Sequence, residues 1–214
     1  MTLRTTTGKL QSRRDASLDN QVIQVLIVLL DVDPIIWRRI LVPASYSFWD
    51  LHVAIQDSMG WLDCHLHQFA FNHGTRQVKY LGIPDDEFEE PPIVPGWTVP
   101  IHKYLPHFDR ACFSYWYDFG DDWMHSITFE DMFQADEGVK YPVCVSGARK
   151  CPPENCGGPH GYKMLLEALQ DKQNPEYAEI VKYIGRYNPN QFSAKSVEFD
   201  NPDARWEIAF SEQR

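Results

Sequence analysis

The amino-acid sequence predicts one α+β domain, a mixed or mostly antiparallel sheet flanked by helices, with a cysteine-rich loop ahead of the C-terminal helices. Three observations carry this reading. Apolar residues alternate at strand period in several separate stretches, a capped amphipathic helix interrupts them, and two further helical stripes follow. The 214 residues, 43% of them hydrophobic, hold enough apolar side chain for one substantial core.

Residues 1–19, MTLRTTTGKLQSRRDASLD, are polar and follow neither period, as a flexible tail would. The domain itself is expected over 20–199. QVIQVLIVLLDV is rich in β-branched residues and leucine on both alternating faces, which predicts a strand covered on two sides, and Asp33-Pro34 then turns the chain. IIWRRILVP follows as a second strand. Ser47 with Asp50 makes a capping-box start for FWDLHVAIQDSMG, whose Phe48, Leu51, Ile55 and Met59 share a helical face and whose Gly60 can end it. In HLHQFAFN, residues His65, His67, Phe69 and Phe71 point one way along a strand.

Between 73 and 110 the pattern breaks: six prolines fall between 84 and 106 and five carboxylates crowd residues 85–90, so an irregular excursion is expected. Alternation returns in CFSYWYDFGDDWMHSITFE. There Phe113, Tyr115, Tyr117 and Phe119, then Trp123, His125, Ile127 and Phe129, flank the turn chemistry of Gly120-Asp121-Asp122, a β-hairpin pattern. After the cysteines, GYKMLLEALQD presents Tyr162, Leu165, Leu166 and Leu169 as one helix. Asn174-Pro175 starts another, with Tyr177, Ile180, Val181 and Ile184 as its stripe and Gly185 as its stop. Residues 200–214 read as a tail or, in RWEIAF, as an edge strand.

Composition narrows the class. Five cysteines make an odd count, three of them sit in one loop, and no basic-then-apolar leader opens the sequence, so a reducing, cytoplasmic setting is expected rather than a disulfide framework. The longest apolar run, Val22 to Leu30, falls well short of the roughly 20 residues a bilayer requires, so no membrane association is expected. A formal charge of −10 repels phosphate backbones and makes nucleic acid an unlikely partner. The aromatic surface left after packing, together with the acidic excursion, points instead to an unidentified protein partner. Composition leaves the oligomeric state open.

The stretches DPIIWRRILVP, DLHVAIQDSMGWLDCHLHQF, YWYDFGDDWMHSI and YPVCVSGARKCPPENCGGPHGY followed by LLEAL resemble, in order and character, the plasmid ORF-three-like family, named from a Ri-type plasmid reading frame. The resemblance covers about residues 21 to 195. It implies a compact α+β domain found in bacteria, archaea, plasmids, phages and mobile elements, and it implies no particular reaction. His160 departs from the family, which more often carries an aromatic such as Trp at that place.

Two constellations carry candidate chemistry. The Cys-x6-Cys-x4-Cys spacing of Cys144, Cys151 and Cys156 lies in a Gly/Pro-rich loop expected to form neither helix nor strand, whose backbone can turn three sulfurs toward one point. A structural zinc needs a fourth donor, for which His160 and the inward-facing His125 are the candidates. Set beside this is the reading of free thiols packed in a tight turn. The second constellation joins His65, His67 and His125 as ligands of a catalytic metal, with Asp118 as base and Asp121 and Asp122 nearby. Against it, His67 and His125 alternate with apolar residues as hydrogen-bonded core histidines do. Arg38 and Arg39 fall on opposite strand faces, so one must be buried. Asp118 is a plausible mate, and an anion clamp with Arg149 and Lys150 is the alternative.

No Gly-x4-Gly-Lys-Ser/Thr loop, Gly-x-Ser-x-Gly elbow or His-Glu-x-x-His helix is present. The expected function is therefore a cytoplasmic accessory or interaction protein of plasmid, phage or mobile-element setting with a structural zinc. A metal-dependent hydrolase acting on a phosphoester or nucleotide is one alternative, and a nucleic-acid-associated protein a second.

Overall fold

The computed structural model describes residues 18, 20–73, 76–84, 92–104 and 112–211. The expected tail 1–19, but for residue 18, and the acidic run 85–90 lie outside them. The chain runs β1 (Gln21–Leu29), β2 (Ile36–Pro43), α1 (Phe48–Met59), β3 (His67–His73), β4 (Arg76–Gly82) and β5 (Val94–Pro95). Short 3-10 turns then lead to β6 (Cys112–Tyr117), β7 (Trp123–Gln134), β8 (Val143–Ala148), α2 (Gly158–Gln170), α3 (Tyr177–Ile184) and α4 (Pro202–Ser211). The strands form one sheet in the order β5-β4-β3-β6-β7-β1-β2-β8. β4 and β5 pair parallel and the other neighbours antiparallel, so the sheet is mixed and the class is α+β.

One face of this sheet is the core. Register places Tyr115 between Phe69 and His125, Tyr117 between His67 and Trp123, and Ile27 between Ile127 and Arg38, all of them buried. Helix α1 lies over that face, where the Phe48 ring meets Phe69, Phe71, Tyr104 and Phe113 edge-on at 5.1–5.9 Å. Its start is the expected capping box: Ser47 accepts from the Asp50 N–H while Asp50 accepts from the Ser47 N–H. Its end is Gly60 in the left-handed conformation, φ 88°.

Three expectations are corrected. β1 is covered on one side only: Ile23, Val25, Ile27 and Leu29 are buried, whereas Gln24, Leu26 and Val28 are half-buried. The opposite face there carries a polar knot in which Gln24 and Arg39 both donate to Glu130. The excursion from 73 to 110 contains order that its prolines hide, namely β4, β5 and the turns that bury Ile93, Ile101 and Tyr104. Gly82 in β4 permits the pairing, since a Cβ there would stand 2.7 Å from the His67 carbonyl oxygen.

RWEIAF is helix, not edge strand. Asn201 accepts from the Asp203 and Ala204 N–H groups as a cap and Pro202 occupies the first turn. The helical spacing then sets Trp206 and Phe210 together at 4.1 Å while Ile208 is 71% exposed. This α4 covers the outside of α1. Trp49 meets Trp206 and Phe210 and donates its indole N–H to the Pro202 carbonyl, and Arg205 bridges Asp57 and Asp63. Helix α1 is consequently buried on nearly every side: His52 meets Tyr115 and Asp63, Ser58 donates to the Ile55 carbonyl, and the Gln56 side-chain amide N–H donates to the Tyr115 hydroxyl.

Candidate metal centre

Both sequence-based ligand sets disperse. His65 precedes β3, so it does not share the strand face of His67. His67 stacks on His52 with ring centres 3.5 Å apart, and its pKa is driven well below the ordinary value by burial and by the neighbouring His52. Tyr115 on the intervening strand stands between His67 and His125, its ring 6.0 Å from one and 5.2 Å from the other. His125 is fully buried, its Nδ1 lies 3.3 Å from the Tyr115 carbonyl oxygen, and burial lowers its pKa to about 4. These are core histidines.

The cysteine segment is only partly a loop. Cys144 lies within β8, at one edge of the sheet, because Val143–Ala148 pairs with β2. Cys151 is buried, Cys156 half-buried, and His160 is exposed on α2. Burial raises the Cys144 and Cys151 thiols, an effect the Arg38 guanidinium only partly offsets. Cys156 is pushed up to about 12 by burial and by the charges of Asp121 and Glu154. Among the described residues, no three members of the set Cys144, Cys151, Cys156, His125 and His160 bring ligand atoms within 4.8 Å of one another. The pairing of β8 with β2 fixes Cys144 in the sheet, a restraint that spacing alone does not reveal.

The group that does gather is Cys64, His65 and Glu154, whose Sγ, imidazole nitrogen and carboxylate oxygen lie within 4.8 Å of one another. Two loops build it. After α1 stops at Gly60, residues 61–66 run beside residues 151–157, and Trp61 donates to the Pro152 carbonyl at 3.0 Å. Glu154 Oε1 accepts from the Leu62 N–H at 2.8 Å and from the Tyr117 hydroxyl at 3.1 Å. Among the described residues its Oε2 is buried with no hydrogen-bond partner, and so is His65 Nε2, which stands 3.4 Å from Asp118 Oδ2 without hydrogen-bond geometry. Asp63, Asp118 and Asn155, each in or beside the group, adopt left-handed backbone at φ 54–56°, a conformation Asp and Asn tolerate better than other side chains.

The electrostatics share one sign. Burial and the Glu154 carboxylate raise the Cys64 thiol, and the Tyr117 and Tyr183 phenols are raised by the same causes. Neither Glu154 nor Asp121 makes an ion pair with Lys or Arg among the described residues, and Asp118 has only His65. A carboxylate, a thiol and an imidazole crowded without a counter-cation can receive a divalent ion, which would reverse each of these penalties. The sequence reading named His65, as a ligand beside His67 and His125, and Asp118, as a base. It missed Cys64 and Glu154, for which the available signal was Cys64 beside His65 in a loop that follows a helix stop.

Comparison with known proteins agrees with this architecture. The family model described as plasmid pRiA4b ORF-3-like protein matches residues 21–196. The protein is 34% identical over 189 residues to "Uncharacterized protein y4hQ" of Sinorhizobium fredii (strain NBRC 101917 / NGR234), covering 86% of this chain and 94% of that one. Among solved structures it resembles the crystal structure of protein of unknown function MM3350 from Methanosarcina mazei Go1. That match has TM-score 0.76 and 36% identity, over 84% of this chain and 98% of the other.

Proposed function

The chain belongs to the plasmid pRiA4b ORF-3-like protein family, and on that premise we propose that it is a metal-bearing accessory module. In it a divalent ion of the zinc class, held by Cys64, His65 and Glu154, locks two loops into a contact surface for a protein partner. The observation that carries this reading is the convergence of the three donor residues, two of which, His65 and Glu154, each have a buried polar atom with no hydrogen-bond partner among the described residues.

Thiolate, imidazole and carboxylate together form a donor set that zinc accepts at about 2.0–2.3 Å. Tetrahedral ligation at those lengths sets donors about 3.5 Å apart, so a spread within 4.8 Å has only about 1 Å to close. Asp118 supplies a further oxygen beside His65. Binding would tie the segment after α1 to the segment before α2, and ordering of both loops would be part of the same free energy.

Leu62 and Leu66 flank the ligands at 76% and 53% exposure, and Tyr183, 58% exposed, donates its hydroxyl to the Glu154 carbonyl. That apolar rim supports contact with a protein rather than with a phosphate backbone. Of the basic residues that are candidates for a phosphate backbone, Arg38 is buried, Arg39 is held by Glu130 and Arg149 donates to the Ile35 carbonyl. The plasmid-derived description of the family supports the proposed accessory role in a plasmid, phage or mobile-element setting, and the odd cysteine count supports a reducing cytoplasm.

The test is metal content of the full chain purified with zinc present and without chelator. About one equivalent is expected, lost in Cys64→Ser and retained in Cys144→Ser and Cys151→Ser. Content well below one equivalent, or equal loss in Cys151→Ser, would overturn the assignment.

A further inference from the structure

A second feature lies on the β2 side of the molecule. Arg38 is 1% exposed, yet among the described residues it meets no carboxylate. Its Nε donates to the Ser58 carbonyl at 2.7 Å, and its Nη1 to the Trp37 and Ala148 carbonyls at 2.8 and 3.0 Å. The Phe192 ring covers the guanidinium plane with its centre 3.8 Å away, a fit that Gly147 permits because a Cβ there would stand 2.6 Å from that ring. The nearby thiols Cys144 and Cys151 are held neutral by burial and supply no counter-charge. A buried guanidinium with only carbonyl acceptors is an incomplete arrangement.

The uncommitted part of Arg38 has an outlet. Among the described residues its Nη2 makes no hydrogen bond, and Arg38 lines a cavity of about 280 Å³ whose wall also carries Lys150, Gln191, Ser193 and Ser196. The Lys150 amine forms no ion pair among the described residues and lies 5.4 Å from the Tyr187 ring centre. Of the two acidic residues on the wall, Asp57 is engaged by Arg205 and by the Asp200 N–H, and Glu198 is exposed.

We infer that this cavity binds a small phosphate monoester, with the ester's phosphate seated between Arg38 and Lys150. The two Nη2 N–H bonds of Arg38, the Lys150 ammonium and the Ser193 hydroxyl suit a dianion with three acceptor oxygens better than a single carboxylate. The volume lies at the lower end for ligand pockets, enough for a phosphate with a short organic stub and too small for a nucleotide. A purely structural Arg38 tying β2 to α1 and β8 accounts for three of its hydrogen bonds. It leaves Nη2 and the adjoining Lys150 without a task.

Isothermal titration and thermal unfolding of the full chain test this with three probes at matched ionic strength: inorganic phosphate, glycerol 3-phosphate and malonate. Saturable binding of both phosphates, tighter for the ester, is expected, with malonate at least tenfold weaker. Lys150→Ala, at an exposed position, should leave the unliganded melting temperature unchanged and weaken phosphate binding about tenfold, the loss of one charge-assisted contact. Arg38→Lys should weaken it further. If Arg38→Lys fails to fold, Lys150→Ala alone decides. Equal affinity in Lys150→Ala and the wild type, equal binding of malonate, or stabilisation by phosphate no greater than by chloride would each overturn the inference. None of these outcomes depends on the metal at Cys64.

Discussion

Replacing Glu154 by glutamine separates a ligand from a structural carboxylate. Glutamine keeps an oxygen that can accept from the Leu62 N–H and the Tyr117 hydroxyl, and it removes the charge and the partnerless Oε2. Without metal, the variant is expected to match the wild type to within about 1 kcal/mol or to exceed it, because an unpaired buried carboxylate oxygen is a cost rather than a contact. With metal the two proteins should diverge. At a free zinc concentration 100-fold above the dissociation constant, the wild type gains about 2.7 kcal/mol. For a chain of 214 residues that is an upward shift in melting temperature of about 5–11 °C, and the variant should lose most of it.

A pH series adds an independent sign. The Cys64 thiol is raised by burial and by Glu154, and ligation requires its thiolate, so zinc uptake must release a proton and strengthen as the pH rises from about 7 to 8.5. The assay is differential scanning calorimetry with chelator or buffered zinc, accompanied by titration in two buffers of different ionisation enthalpy. A Glu154→Gln protein that keeps the full zinc shift would refute the reasoning. So would one that loses more than about 2 kcal/mol without metal.

The core histidines set an acid limit. The unfolded chain takes a proton on each imidazole below about pH 6.5, whereas folded His125 does so only near 4 and folded His67 is shifted in the same direction. Stability present above pH 6.5 is therefore lost as the pH falls toward 4, by roughly 3 kcal/mol for His125 alone. Urea denaturation of His67→Phe at pH 7 and pH 5 should show a clearly smaller loss than the wild type, and identical losses would count against a neutral buried His67. Gly158 has φ +67°, and a Cβ there would stand 2.2 Å from the Asp121 carbonyl oxygen. Gly158→Ala should therefore cost about 2–4 kcal/mol in urea unfolding by displacing the β6–β7 turn, and a cost below 1 kcal/mol would contradict the close approach.

Local chemistry was legible wherever a single element decided the outcome. The capping box at Ser47 and Asp50, the β6–β7 hairpin, the stop at Gly60 and the apolar stripe of α2 all follow from residues close in sequence. What failed depended on partners far along the chain. RWEIAF satisfies a period of two as well as a period of four, and the Asn201 cap together with the packing of Trp206 and Phe210 against Trp49 selects the helix. The sequence leaves open which of Arg38 and Arg39 is buried and whether it meets Asp118 or carbonyl oxygens; the β2–β8 pairing and the end of α1 bury Arg38 on backbone carbonyls. The candidate ligands Cys64 and Glu154 stand far apart in sequence and meet because Trp61 and Leu62 bond to Pro152 and Glu154, contacts no motif announces.

The enclosure of α1 bears on the order of synthesis. Its inward face can settle on the sheet once β7 has emerged, but its outward face, with Trp49 and the carboxylates Asp57 and Asp63, stays bare until residues 202–210 leave the ribosome. For more than a hundred and forty residues of elongation, counted from Asp57 to Asp200, a nascent chain carries a helix with a large indole and two acids facing water. Enclosure of α1 thus waits on a segment made long after it, and a stalled chain lacking that segment would present a sticky, half-roofed intermediate to chaperones.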